Sequence, residues 1–319
     1  MHFTLNTLLG SALLALRVAA VPFPVPAPAP LAPAPVSDLE TRADTASLVS
    51  AAQMSSYKPF TQFARAAYCD GTGTWSCGAA CRANPTFQPT LTGGDGNAVQ
   101  FYYVGYWPDQ NAVIVSYQGT DPTQLLADLT DLDFFQQPFD SSLFPGVPSS
   151  VQVHGGFADQ HAKAAAVILK ETKRLISAKG ATTVITVGHS LGGALAEIAA
   201  LHMTLNLPSS IHVKSVTYGT PRVGNPAYAS FFDGKVADFV RINHDHDPIP
   251  IVPGRGLGFQ HVHGEIHILD SNGQAYACSP DDNASSDACT ISTVPNIFVS
   301  NILDHLGPYG GIYLGTIAC

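Results

Sequence analysis

The stretch Val184 to Ala194, VITVGHSLGGA, takes a run of β-branched residues into a serine set between glycines, Ser190 in GHSLG. A serine hydroxyl is a weak nucleophile until a base takes its proton, so acyl transfer at Ser190 requires a histidine and a carboxylate that orients it. Enzymes built on a strand-to-helix serine elbow carry the three in the chain order serine, acid, histidine. RINHDHDPIPIVP offers the acid as Asp245 or Asp247. Asp247 precedes a proline, which holds it extended at the start of a loop, and is preferred on that ground. Twelve histidines compete to be the base. His305, in DHLGPYGG, lies between an apolar segment and a glycine-rich turn. HVHGEIH instead sets His261, His263, Glu265 and His267 at alternate positions, where a strand would turn all four to one face. That is a candidate metal site and supports a rival reading, a metal-dependent protein, although the wet face of an edge strand has the same pattern. Periodicity does not choose between His261 and His305.

These residues need elements to hold them. A serine at a sharp turn from a buried strand into a helix stands exposed above the sheet, and Gly188 and Gly192 meet the demand for small residues around it. The helix start adds backbone N–H groups and the positive end of the dipole where negative charge develops in acyl transfer. The alternative is an inert serine in a glycine-rich cap. Strands are predicted at NAVIVSYQG from Asn111, VQVHGGF from Val151, TTVITV before the serine, IHVKSVTYG and VADFVRIN. Ala165, Ile168, Leu169, Thr172, Leu175 and Ile176 share one helical face, with Lys163, Lys170 and Arg174 available for the other and Gly180 as the stop. Leu191 to Leu205 reads as a second, alanine-rich helix. Alternation of strand and helix predicts one α/β domain with a mostly parallel central sheet flanked by helices.

Composition bounds the rest. At 319 residues, 45% hydrophobic and 12% charged, the chain can bury one large core. Its 24 acidic against 15 basic residues leave no footprint for nucleic acid. Leu8 to Ala20 is an apolar run too short and interrupted to span a membrane, and it ends in small residues suited to cleavage, so 1–20 reads as a signal peptide. The Pro/Ala-rich stretch that follows makes 21–44 a pro-segment or linker, and 45–319 the folded domain. Six cysteines fit export. Spacing suggests a local loop for Cys77 and Cys81, another for Cys278 and Cys289, and Cys69 and Cys319 at the two ends, among the fifteen pairings that six cysteines allow. Asn283-Ala284-Ser285 is a glycosylation sequon in the Cys278–Cys289 loop.

From about Tyr57 to Cys319 the chain resembles the fungal class 3, filamentous-fungus type, triacylglycerol lipases, a family that also includes feruloyl esterases. The resemblance rests on eight collinear matches: ARAAYC at Ala64, SYQGT at Ser116, DLDF at Asp131, VHGGF at Val153, VGHSLGG at Val187, YGTPRVGN at Tyr218, DPIP at Asp247 and DHLGPY at Asp304. It implies an α/β-hydrolase fold, with Ser190 as nucleophile, Asp247 as orienting acid and His305 as base, no cofactor, and the disulfides Cys69–Cys319 and Cys77–Cys81, which leaves Cys278 with Cys289. The elbow geometry assigns the Leu191 N–H to the oxyanion hole. The resemblance gives the second donor to Thr120, following the predicted strand, rather than to the HGG at His154, which reads as structural.

In lipases of this family a short helix after the oxyanion residue acts as a lid, and here that place is DPTQLLADLTDLDFF from Asp121. Leu125, Leu126 and Leu129 are spaced to share a face, with Asp121, Asp128 and Asp131 mainly elsewhere, and the tryptophan of some relatives is lacking. An ordinary amphipathic helix packed on the core would show the same spacing. The expectation is a secreted triacylglycerol lipase acting on acylglycerol or other esters at a lipid–water interface, with transient contact through the lid near Asp121–Asp131 and no obligate protein partner. The rivals are a feruloyl or short-chain esterase on the same scaffold and a non-catalytic lipid or carbohydrate binder.

Overall fold

Runs of valine and isoleucine with no polar alternation need cover on both faces, and the chain supplies it with helices. In the computed structural model, residues 45–121 and 134–319 are described. The expected lid leucines, Leu125, Leu126 and Leu129, and the leader and pro-segment, 1–44, lie outside them.

The strands are β1 (Thr45–Leu48), β2 (Gln88–Gly93), β3 (Tyr102–Trp107), β4 (Ala112–Tyr117), β5 (Gln136–Pro138), β6 (Gln152–His154), β7 (Thr183–His189), β8 (His212–Tyr218), β9 (Asp238–His244), β10 (Glu265–Leu269) and β11 (Gln274–Ser279). The main helices are α1 (Lys58–Ala66), α2 (Gly155–Lys179), α3 (Leu191–Asn206) and α4 (Pro226–Asp233). Among the described residues, nine strands form one mixed sheet in the order β1-β11-β10-β9-β8-β7-β4-β3-β2, while β5 and β6 pair apart from it. The central five, β4, β7, β8, β9 and β10, run parallel. Antiparallel strands extend both edges.

Strand β4 shows the layering. Ala112 and Ile114 enter one core with Phe60 and Phe63 of α1, whereas Val113 and Val115 enter another with Ile168 of α2 and Leu195 of α3. Strand β7 repeats it: Ile185 and Val187 face the α1 side, Val184 the α2–α3 side. Thr186 joins the second face by donating to the Ala196 carbonyl at 2.9 Å.

Helix α2 buries Ala165, Ile168, Thr172 and Leu175, keeps Leu169 and Ile176 at the half-buried margin, and ends at Gly180 with φ 66°. Helix α3 is buried nearly all round from Gly192 to Met203, as its alanine-rich sequence permits. Disulfides join Cys69 to Cys319, Cys77 to Cys81 and Cys278 to Cys289.

Two expectations change. Gly264, at φ 88°, turns the chain between His263 and Glu265, so only Glu265 and His267 lie in β10 and the four residues of HVHGEIH do not share a strand face. The sequon asparagine is buried, and its Nδ2 donates to the Ser279 carbonyl at 2.7 Å. The fold thus uses the amide nitrogen to which a glycan would attach.

Candidate active site

Ser190 is the last residue before α3, at φ 60° and ψ −131°, a conformation costly for a residue with a side chain. The surroundings hold it there. Its N–H donates to the Tyr218 carbonyl at 2.9 Å, and its own carbonyl accepts from Gly193 N–H at 2.8 Å. The flanking glycines are required by approach: a Cβ on Gly188 would run into the Gly192 backbone, and one on Gly192 into the Tyr117 and Gln118 carbonyls. Helix and strands therefore meet more closely than any side chain allows.

The loops after three neighbouring parallel strands converge on this elbow, at the carboxyl ends where open α/β sheets bind ligands. After β4, Gly119 passes Ser190 so closely that a Cβ on it would lie 2.8 Å from the serine Cβ. After β8, a Cβ on Gly219 would lie 2.8 Å from both His305 Nδ1 and Asp247 Oδ2. After β9 comes Asp247, fully buried, with Oδ1 accepting from Ile249 N–H at 2.8 Å and Oδ2 from His305 Nδ1 at 2.8 Å. That bond puts the His305 proton on Nδ1. Nε2 then carries a lone pair, which has no hydrogen-bond partner among the described residues.

His305 arrives from a C-terminal turn, Ile302–Leu306, tied to the end of β9. His246 carbonyl accepts from Asn301 N–H at 2.8 Å, and Asp304 Oδ2 accepts from His246 N–H at 3.1 Å. The carbonyl of His305 itself is gripped twice, by His189 Nε2 at 2.7 Å and the Tyr309 hydroxyl at 3.1 Å. Burial, then the neighbouring His305, hold the His189 ring well below the usual imidazole range, so it is neutral. With its one proton on Nε2, its Nδ1 accepts from the Tyr68 hydroxyl at 2.7 Å. Burial pushes the Tyr68 phenol up, which keeps that donor protonated.

Thr120 and Leu191, the two residues expected to give oxyanion donors, line one cleft together with Tyr68, Gly119 and Asp121. The cleft has a volume of about 1080 Å³. Leu191 opens α3, where first-turn N–H groups have no intrahelical acceptor.

The other candidates lie elsewhere. Asp245 donates its N–H to Ile268 O at 2.7 Å, and its carboxylate lies 3.1 Å from His246 Nδ1. His261 Nε2 is 2.7 Å from the Pro250 carbonyl, His263 Nδ1 is 2.8 Å from Asp233, and Glu265 pairs with Arg241 at 2.9 Å. His267 lies between the Ala288 and Asp245 carbonyls, each at 2.9 Å. Each of the four thus has its own protein partner, which disperses the metal arrangement that alternation suggested. His154 ends β6, caps α2 and stacks on Phe157 with ring centres 4.1 Å apart, a structural place.

Sequence reasoning passed over Tyr68, His189, Tyr309 and Arg222 as individuals. Arg222 donates to the Ile251 and Pro253 carbonyls at 2.6 and 2.9 Å and to Asp282 at 2.7 Å, fastening the loop after Asp247 to the Cys278–Cys289 loop. The signal available was their presence inside the collinear motifs ARAAYC, GHSLGG, DHLGPY and YGTPRVGN.

The sequence model of the family described as lipase (class 3) matches residues 114–257. A secreted mono- and diacylglycerol lipase of Malassezia globosa is 32% identical over 226 residues, 70% of this chain and 72% of that protein. The native propeptide complex of Rhizomucor miehei lipase matches with a TM-score of 0.74 at 23% identity, over 86% of this chain and 85% of that one. Lipase II from Rhizopus niveus matches with the same TM-score at 24% identity, over 85% and 99%. These structural likenesses show a shared fold.

Proposed function

The chain belongs to the class 3 lipase family, and from that premise we propose that it hydrolyses acylglycerol esters by acyl transfer to Ser190. The observation that carries this reading is the bond from His305 Nδ1 to buried Asp247, formed against the residue that follows Tyr218, the acceptor of the Ser190 N–H. Asp247 fixes the tautomer, so His305 Nε2 removes the Ser190 proton as Oγ attacks the ester carbonyl. The Leu191 and Thr120 N–H groups hold the oxyanion; such a donor typically contributes ~10²–10³ in turnover. The imidazolium protonates the departing alcohol, and water then hydrolyses the acyl-enzyme by the same route. Tyr68, His189 and Tyr309 act as positioning residues through the His305 backbone.

The protein is a secreted carboxylic ester hydrolase, in keeping with its three disulfides and with relatives named as secreted lipases. In this reading residues 1–20 serve as export signal, 21–44 as pro-segment or linker, and 45–319 as catalytic domain. The propeptide complex of Rhizomucor miehei lipase offers a parallel for a pro-segment. The stretch from Asp121 to Asp131 is the lid in this reading.

The reading is tested by hydrolysis of emulsified tri-, di- and monooleoylglycerol against soluble p-nitrophenyl butyrate and methyl ferulate, with Ser190→Ala as control. It expects turnover of the oleoylglycerols that disappears in the variant. Turnover of the soluble esters alone would make the protein an esterase.

A further inference from the structure

The segment that leads into His305 turns large apolar side chains into water. From Thr290 to Leu303 the sequence TISTVPNIFVSNIL holds no charged residue. In a soluble protein its apolar side chains belong in the core and its polar ones in water. Here Ile297, Phe298, Val299 and Leu303 are 57%, 91%, 49% and 67% exposed. The polar side chains between them, themselves at the surface, bond the loop's own backbone. Asn296 Oδ1 accepts from Phe298 N–H at 3.0 Å, Ser300 Oγ donates to Ile297 O at 2.7 Å, and Asn301 Oδ1 accepts from Leu303 N–H at 3.1 Å. Two short 3-10 turns, Ile297–Val299 and Ile302–Leu306, are thereby fixed with their apolar groups turned outward. An apolar tip held in water by a satisfied backbone marks an interaction surface.

We infer that the Ile297–Leu303 loop is a preformed anchor that inserts into the uncharged surface of aggregated ester substrate and seats the cleft on it, independently of the segment from Asp121 to Asp131. The occupant follows from place and charge. Leu303 shares the turn Ile302–Leu306 with His305, and Asn301 N–H bonds the His246 carbonyl next to Asp247, so whatever covers the loop lies beside the turn that carries His305. The loop offers no lysine or arginine to an anionic bilayer, and the chain carries a formal charge of −9, so a neutral glyceride surface fits and an acidic membrane does not. A lipid surface takes exposed aromatic and aliphatic side chains without requiring the shape complementarity that a protein partner would.

The inference rests on the lipase reading for its occupant, and two readouts separate their fates. The first is a triple variant, Ile297→Ser, Phe298→Ser and Val299→Ser, assayed on a trioleoylglycerol emulsion at limiting surface area and on p-nitrophenyl butyrate below its solubility limit. The emulsion rate should fall about tenfold or more, because burying even one large apolar side chain is worth about a decade in partition. The soluble rate should stay within about twofold, since these side chains face water. Emulsion and soluble rates that fall together, or an unchanged emulsion rate, would overturn the anchor.

The second readout needs no turnover. Phe298→Trp in the Ser190→Ala background should show a blue shift in emission on adding the same emulsion, beyond that of the parent's Trp75 and Trp107, and none on adding phosphatidylserine vesicles. No shift with the emulsion, or an equal shift with both, would overturn the proposed occupant. A blue shift confined to the emulsion, together with a parent protein (Ser190 intact) that hydrolyses no ester, would support the anchor and refute the lipase reading.

Discussion

At the scale of single residues the account turns on Ser190 and the proton path beside it. Ser190→Ala removes the attacking oxygen from a buried site and leaves the backbone as it is. The expected result is a loss of about 10⁴-fold or more in kcat on soluble ester, with the thermal midpoint within ~2 °C of the parent. A residual rate near the parent's would reassign the nucleophile. Tyr68→Phe probes positioning. It deletes the donor to His189 Nδ1, and His189 holds the His305 carbonyl, so one of the two backbone supports of the general base is loosened. The predicted effect is about tenfold in kcat with KM unchanged, the signature of misplacement rather than lost binding. A change confined to KM would place Tyr68 against substrate instead. The serine, the acid and one histidine candidate were readable from motif and order, but the choice of His305 over His261 was not readable from periodicity. The family resemblance made that choice from DHLGPY; in the fold the His261 ring goes to the Pro250 carbonyl and His305 to Asp247.

At the scale of elements, the elbow is a contact between backbones, and this explains why its glycines were legible while their partners were not. Gly192 lies inside the first turn of α3, where alanine would gain about 1 kcal/mol in helix propensity. Its Cβ would meet the Tyr117 and Gln118 carbonyls at the end of β4. Overpacking of a tight contact costs about 1–3 kcal/mol and here presses on backbone, so the clash should win. Gly192→Ala is predicted to destabilise by about 1–2 kcal/mol and to lower kcat, because Gln118 leads directly to Thr120. Unchanged urea unfolding with unchanged kcat would contradict this.

The parallel strands were legible because valine and isoleucine runs need cover on both faces, and α2 because its apolar stripe keeps helical period. The antiparallel edge strands β1, β2 and β11 were not, since half-buried strands such as QPTLTG carry little hydrophobic pattern. HVHGEIH misled for a related reason. Strict alternation assumes an unbroken strand, and Gly264 breaks it.

At the scale of the molecule, pH acts on stability through a carboxyl far from the elbow. Burial in α3 pushes Glu197 up to about 8, even though the Tyr228 hydroxyl donates to it at 3.0 Å and Arg241 attracts it; Asp233 and Asp281 add to the rise. A carboxyl whose folded pKa is raised binds its proton more tightly when folded, so its contribution to stability is lost as pH rises from the unfolded value, near 4.5, through about 8. Glu197→Gln keeps an acceptor for Tyr228 and removes the charge. The variant should therefore gain thermal stability relative to the parent as pH goes from 5 to 8. A difference in midpoint that does not change with pH would show that the folded and unfolded states hold the Glu197 proton equally, against a raised folded pKa.

The disulfide between Cys69 and Cys319, 250 residues apart, ties the chain's end to the residues after α1. Loop-entropy arguments place its contribution at about 3–5 kcal/mol, so a Cys69→Ser, Cys319→Ser double variant should unfold at clearly lower urea. An unchanged urea midpoint would mean that this tie adds nothing to the packed core.

The central claim, covalent acyl transfer at Ser190, is tested most directly by trapping. Diethyl p-nitrophenyl phosphate added to the intact protein should release one equivalent of p-nitrophenol, abolish ester hydrolysis in proportion, and leave a diethylphosphoryl group on Ser190, located by peptide mass spectrometry. Full inactivation with the label on another residue, or hydrolysis that persists with Ser190 fully labelled, would contradict the account.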